Sequence, residues 1–138
     1  MTNWNDNVIK QFHENDGKVG GPFEGSHLLL LTTTGAKTGE KRVAPMMYFT
    51  EQDGIYVIAS KAGTPENPAW YHNLVAHPEV TVEQSTDHGI EAYTATATPV
   101  DRAKRDELWG KFTAKAPGFA GYQEKTSRVI PVVEIRRK

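Results

Sequence analysis

At 138 residues, with 38% hydrophobic and 24% charged, the chain has the size and make-up of one soluble domain, residues 1–138, able to bury a core without covalent staples. Its 16 basic and 17 acidic residues leave a net charge of -1, which excludes the global basic field of a nucleic-acid binder and makes any anion site a local one. With no cysteine, disulfides, thiolate nucleophiles and cysteine-ligated metals are excluded as well.

Trp4, Val8 and Phe12, with Ile9 and Val19 nearby, recur at helical spacing after the candidate caps Asn3 and Asp6, and predict a short amphipathic helix ending before Gly17. Gly20 to Pro22 break the chain, and His27 to Thr34 read as a buried strand. GAKTGEK is the turn into a return strand, Arg42 to Thr50. The Asp-Gly of EQDG, Glu51 to Gly54, marks a tight hairpin into a third strand that runs to Ser60. Asn67 as cap and Pro68 in the first turn then open a helix whose stripe is Trp70, Leu74 and Val75, stopping at or before Pro78.

EVTVEQ and IEAYTATATPV alternate as two further strands around the polar turn STDHG. Asp101 caps a helix that points Leu108, Trp109 and Phe112 at the core and ends at Pro117. GFAGYQEKT is a short helical piece, and VIPVVEIRR is the last strand, with Pro131 implying an edge or a bulge. Hairpins dominate and no strand–helix alternation repeats, so the expected fold is α+β: a six-stranded antiparallel split β-barrel decorated by helices. No stretch is apolar for long enough to be a signal peptide or a membrane span, and the expected location is the cytoplasm.

The stretch TTTGAKTGEKRVAPM, Thr32 to Met46, carries Lys37, Lys41 and Arg42 around two glycine turns. It reads either as a solvated hairpin or as an anion cradle, in which an Arg forks onto phosphate or carboxylate and a Lys supplies a mobile charge. It is not a P-loop, because the glycine spacing differs and the turn leads into a strand. Lys61 and the helix start at Asn67 and Pro68 are a second anion-friendly feature, since a helix N-terminus presents unpaired N–H groups. Whether the two features face one another is left open by the residues alone. His72 and His77 stand five apart, a poor spacing for one helical face, and no metal is assigned. The segment Gly118 to Tyr122 suits either a lid over an apolar ligand or a plain connector. With no protein nucleophile in view, any enzyme reading leans on a cofactor that carries the chemistry.

LLLLTTTGAKTGEKRVAPM, IASKAG and NPAWYHNLVAHPEVTVE together resemble the deazaflavin-dependent nitroreductase family, actinobacterial split-barrel proteins that use coenzyme F(420). The resemblance runs from about Leu28 to the last strand and implies that Lys37, Thr38 and Arg42 hold the anionic phosphodiester and glutamate tail. Lys61, Asn67, Pro68, Trp70 and Asn73 match the family's second block. Pro45, Met46, Ala59 and Ser60 are expected along the deazaflavin ring. The implied reaction is hydride transfer from the reduced deazaflavin to an electrophilic acceptor, with Tyr122, and less so Ser60, hydrogen-bonding the substrate in a pocket shared with Met47 and Phe119. Ala116 and Phe119 stand where nitroreducing relatives carry tyrosines, so a quinone or other enone-like acceptor is preferred over a nitroaromatic.

Two rival readings stand beside this one: a flavin-mononucleotide (FMN) oxidoreductase on the same barrel, and a non-catalytic deazaflavin carrier. Nucleic-acid binding through Arg136, Arg137 and Lys138 is rejected, three terminal charges being an ordinary solvated end. The N-terminal segment is weighed as a weak contact with the inner face of the plasma membrane, but packing on the barrel is preferred. Monomer and dimer are both left open.

Overall fold

Seven strands form one antiparallel sheet whose two edges are nearly adjacent in the chain. The strands are β1 (Leu28–Thr34), β2 (Lys41–Met47), β3 (Phe49–Glu51), β4 (Gly54–Ile58), β5 (Glu79–Thr86), β6 (Gly89–Pro99) and β7 (Val132–Arg137). The helices are α1 (Trp4–Glu14), α2 (Ala69–Ala76), α3 (Arg102–Lys115) and α4 (Gly118–Glu124). The computed structural model describes residues 4–15, 28–51, 54–60, 66–86 and 89–138.

Spatial order in the sheet is β2-β1-β5-β6-β7-β4-β3. β2 and β3 sit at opposite ends of that order, yet only Tyr48 lies between them in sequence. A flat sheet cannot bring its edges within one residue, so this one curls until they nearly meet. The result is a split β-barrel in an α+β fold, open between β2 and the outer half of β4. The sequence reading counts six strands because it runs β2 and β3 together as Arg42 to Thr50. The break falls at Tyr48, whose hydroxyl donates to the Ser85 carbonyl at 2.6 Å as the chain leaves β1 and crosses to β4.

Burial follows the pleat. Leu29, Leu31, Val57, Val80, Val82, Ala95, Ala97, Val133 and Ile135 fill the barrel together with Leu74 of α2. On the outside, Val8 and Phe12 of α1 cover Leu28 and Leu30, while Leu108 and Phe112 of α3 cover Phe49, Tyr56, Ile58 and Val132. β1 is therefore buried on both faces, and four consecutive leucines replace the usual alternation. Each such side chain contributes about 1.5–3 kcal/mol on leaving water. The first half of β5 is buried on one face only, and its Glu79-Val80-Thr81-Val82 alternates accordingly. The apolar stripe of α1 thus packs on the barrel, with His13 Nε2 2.9 Å from Glu83 Oε2 of β5.

Two boundaries differ from the sequence reading. The last strand begins at Val132, just after Pro131, and pairs on both sides with β6 and β4, so it is neither an edge nor bulged by the proline. Pro131 needs no ladder donor there, and its carbonyl accepts from Ala59 N–H at 3.0 Å. The second helix takes Pro68 as its cap residue with no side-chain cap bond, so Asn67 is not the cap. Asp101 does cap α3, its carboxylate accepting from Lys104 N–H at 2.8 Å. The expectations for Asn3, Val19, Gly20 to Pro22, His27, Asp53 and Lys61, and for the side chains of Trp4 and Asp6, lie outside the described residues.

Candidate functional site

A cleft of about 1460 Å³ follows the open seam of the barrel. Its polar end is the β1–β2 turn, its floor is β2 with Ile58 and Ser60, and its walls are the start of α2 and the face of α4 carrying Phe119 and Tyr122. That volume exceeds the ~300–1,000 Å³ of ordinary small-molecule pockets and suits an extended ligand.

The turn is built by its glycines. Gly35 N–H donates to the Glu40 carbonyl at 2.7 Å, and Gly39 N–H to the Gly35 carbonyl at 2.9 Å. A Cβ on Gly35 would lie 2.9 Å from Thr38 Oγ1 and 3.2 Å from the Glu40 carbonyl oxygen, so any other residue there would force the turn to shift. Gly39 sits at φ 75°, in the left-handed region. The turn thereby lifts Lys37 and Thr38 to the cleft's rim.

It also sets the phase of β2. With Gly35 and Glu40 bonded as a pair, Arg42, Ala44 and Met46 direct their backbone groups at β1, and Lys41, Val43, Pro45 and Met47 direct theirs into the seam. Pro45 thus lacks its N–H on the unpaired side, where no ladder bond is lost.

α2 meets this turn directly. Asn73 is buried, its Oδ1 accepts from Ala36 N–H at 3.0 Å, and its Nδ2 donates to Thr33 Oγ1 at 3.2 Å. The turn therefore meets α2, with Asn73 as the joint, and the helix start at Pro68 and Ala69 lines the same cleft as the turn. Lys37 has no side-chain partner among the described residues and is exposed at the rim. Arg42 donates to Glu40 Oε2 at 2.8 Å, a pair exposed on both sides. Lys41 turns to Thr34 Oγ1 at 2.7 Å and does not line the cleft.

Of the residues singled out in the sequence, the cleft collects Lys37, Thr38, Arg42, Pro45, Met46, Met47, Ser60, Pro68, Trp70, Asn73, Phe119 and Tyr122. Two others stand behind it. Ala59 is fully buried, with its N–H on Pro131 and its carbonyl accepting from Arg128 at 3.2 Å. Asn67 gives its Oδ1 to Arg128 Nη1 at 2.8 Å. Tyr122 stacks edge-on against Phe119, and its hydroxyl bonds no described residue.

The sequence reading missed Glu40, Ile58, His72 and Arg128. Ile58 was within reach, since it shares strand parity with Ser60, and His72 follows from helical spacing one turn on from Pro68 and Ala69. Nothing in the local sequence marks Arg128. Its guanidinium is taken partly out of water, which pulls its pKa below the usual arginine range.

A profile described as F(420)H(2)-dependent quinone reductase matches residues 4–136. An F(420)H(2)-dependent quinone reductase of Mycobacterium tuberculosis is 38% identical over 127 residues, which cover 89% of this chain and 83% of that protein. A solved F(420)-H(2)-dependent reductase is 37% identical at a TM-score of 0.68, over 79% of this chain and 93% of its own. Another solved relative, a domain-swapped dimer, is 34% identical at a TM-score of 0.69, over 95% of this chain and 98% of its own.

Proposed function

The chain belongs to the F(420)H(2)-dependent quinone reductase family, and from that premise we propose that the cleft binds reduced coenzyme F(420) and passes its hydride to a quinone-type acceptor. The observation that carries this reading is the Ala36 N–H bond to Asn73, which fastens the cation-bearing turn to α2 so that the turn and the helix start line one elongated cleft.

The residues fit such a ligand. A phosphate and glutamate tail needs cations and N–H donors within a few ångströms, and the turn offers Lys37 and Arg42 beside the α2 entrance at Pro68 and Ala69. A planar ring needs a flat wall with backbone groups, and the seam side of β2 from Val43 to Met47 offers both. Ser60 completes that wall. Asn73 holds the turn against α2, and Trp70 packs on the barrel core beside it. Lys61 is proposed as a further tail contact from the family pattern alone.

Reduced deazaflavin, when bound, supplies the hydride. The chain's part is to align the reactants, exclude water and hold a proton donor near the acceptor's oxygen. Met46, Met47 and Phe119 make the acceptor end apolar, as a quinone ring requires. The Tyr122 hydroxyl is the group available there to donate to a carbonyl oxygen, with Ser60 as the second. With Ala116 and Phe119 in place of further hydroxyls, the wall favours quinones over nitroaromatics.

The test is a binding titration with coenzyme F(420) and with FMN, on the wild type and on Lys37→Ala and Arg42→Ala. Tight deazaflavin binding that weakens about tenfold in Lys37→Ala, with little FMN binding, is expected. A preference for FMN, or variants that bind unchanged, would return the turn to a solvated hairpin. A bound cofactor that no quinone oxidises would make the protein a carrier.

A further inference from the structure

Arg128 lies outside the cleft, yet it bonds the backbone from which both cleft walls spring. Its Nη2 donates to the Ser60 carbonyl at 2.7 Å, and its Nη1 donates to Asn67 Oδ1 at 2.8 Å and to the Ala59 carbonyl at 3.2 Å. Ser60 lines the cleft at the end of β4, and Asn67 immediately precedes Pro68, Ala69 and Trp70, which line it from α2. One planar fork thus fixes the exit of one element to the entrance of another.

The base of the fork is equally constrained. The Arg128 carbonyl accepts from Gln123 Nε2 at 2.6 Å, and Gln123 sits in the last turn of α4, one residue after Tyr122. Gln123 Oε1 accepts from Ile130 N–H at 3.0 Å and from Arg105 Nη2 at 2.7 Å, and Arg105 Nε donates to the Ile130 carbonyl at 2.9 Å. The chain from Arg128 to Ile130 is therefore fastened to α3 and α4 at one end, and through the guanidinium to β4 and α2 at the other.

We propose that Arg128 is the positioning residue of this cleft: it holds the β4 exit and the α2 entrance in register with the Phe119 and Tyr122 wall, so that cofactor and acceptor meet at reacting distance. The inference rests on the functional reading above and deepens it. A lysine at this position would keep the charge and lose the fork, because an ammonium on a flexible stem cannot present parallel donors to Ser60 and Asn67. Misplacing reactants by about 1 Å costs on the order of a hundredfold in rate.

Two variants, Arg128→Lys and Arg128→Gln, test it with two readouts. The first needs no cofactor: amide hydrogen exchange on the free protein. Faster exchange is expected in residues 71–77 and 118–124 of both variants, with β5 and β6 unchanged. The second is a single turnover with reduced cofactor already bound. Arg128→Lys is expected to slow acceptor reduction by at least about tenfold while cofactor affinity changes less than about threefold. A lysine variant with the wild-type rate and exchange pattern overturns the proposal, since charge alone would then suffice. So does a loss of protection spread evenly over the whole sheet, the signature of a merely structural residue. A wild type that binds no deazaflavin strikes the functional reading instead, and the exchange pattern still decides the clasp.

Discussion

Two sets of cations stand on either side of one cleft. At the β1–β2 turn, Lys37 is exposed and Arg42 has, among the described residues, one exposed carboxylate partner, Glu40. Behind α4, Arg105 and Arg128 spend their guanidinium nitrogens on carbonyls, amides and a carboxylate of the chain itself. The first set leaves donors without a partner among the described residues, as the proposed anionic ligand requires. The second uses up its donors in joining elements together. An ionised side chain with its donors satisfied internally fixes geometry, and one without them is free to bind.

Breaking the second set has the largest expected effect on stability. Arg105→Ala removes donors to the Ile130 carbonyl, Gln123 Oε1 and Asp106, together with the packing of the guanidinium 4.3 Å over the Trp109 ring. The Ile130 carbonyl left unpaired, the lost charged bonds and the lost ring packing predict a loss of about 3 kcal/mol. In thermal unfolding that is a fall in Tm of about 10 °C. Lys37→Ala, at the rim, is expected to stay within about 0.5 kcal/mol of the wild type. Equal stability of the two variants would erase the distinction drawn here.

The contrast has a pH signature of intermediate size. Hydrogen bonds from Arg102, and then from Arg105, hold Asp106 below its ordinary carboxylate range, and a hydrogen bond from Lys111 does the same for Glu51. A carboxyl with a depressed folded pKa adds stability that is fully present above its unfolded value and is lost as pH falls through the folded one. Tm should therefore decline on acidification below the ordinary values of 3.8 for Asp106 and 4.5 for Glu51. Asp106→Asn should make that acid limb shallower. An acid limb identical in Asp106→Asn and the wild type would show that this carboxylate carries none of it.

How much of this was legible follows the same division. Local signals sufficed where one residue decides a local geometry: the Asp101 cap, the glycine turn, the alternation of β5 and the amphipathic stripe of α1. The four leucines of β1 read as a buried strand, and the structure supplies the reason, a helix on one face and the barrel on the other. The turn and the α2 start were legible as anion-friendly stretches, but their meeting depends on a bond spanning 37 residues, Ala36 to Asn73. The roles of Asn67, Ala59 and Arg128 could not be read because their partners lie 61 to 69 residues apart in the chain. Asn67 resembles a helix cap in sequence, and only the folded chain shows its amide turned toward Arg128. Pro131 misled for a related reason: it reads as the mark of an edge or a bulge inside the last strand until β7 is seen to begin just beyond it.

The smallest expected effect sharpens the comparison at the rim, where Glu40 is the one flaw in an otherwise open cation set. Its carboxylate lies 2.8 Å from Arg42 Nη2, with both side chains exposed, so it competes with any anionic ligand for that guanidinium. The backbone of Glu40, which accepts from Gly35 and donates to Thr38 Oγ1, does not depend on its side chain. Glu40→Gln should therefore leave the turn intact and tighten cofactor binding about two- to fivefold, the scale of an exposed ion pair. The gain should shrink in high salt, because screening weakens both the competing pair and the long-range attraction. Weaker binding in Glu40→Gln would mean that the carboxylate aims Arg42 at the ligand, and the rim would then share the donor-satisfied logic of the junction behind α4.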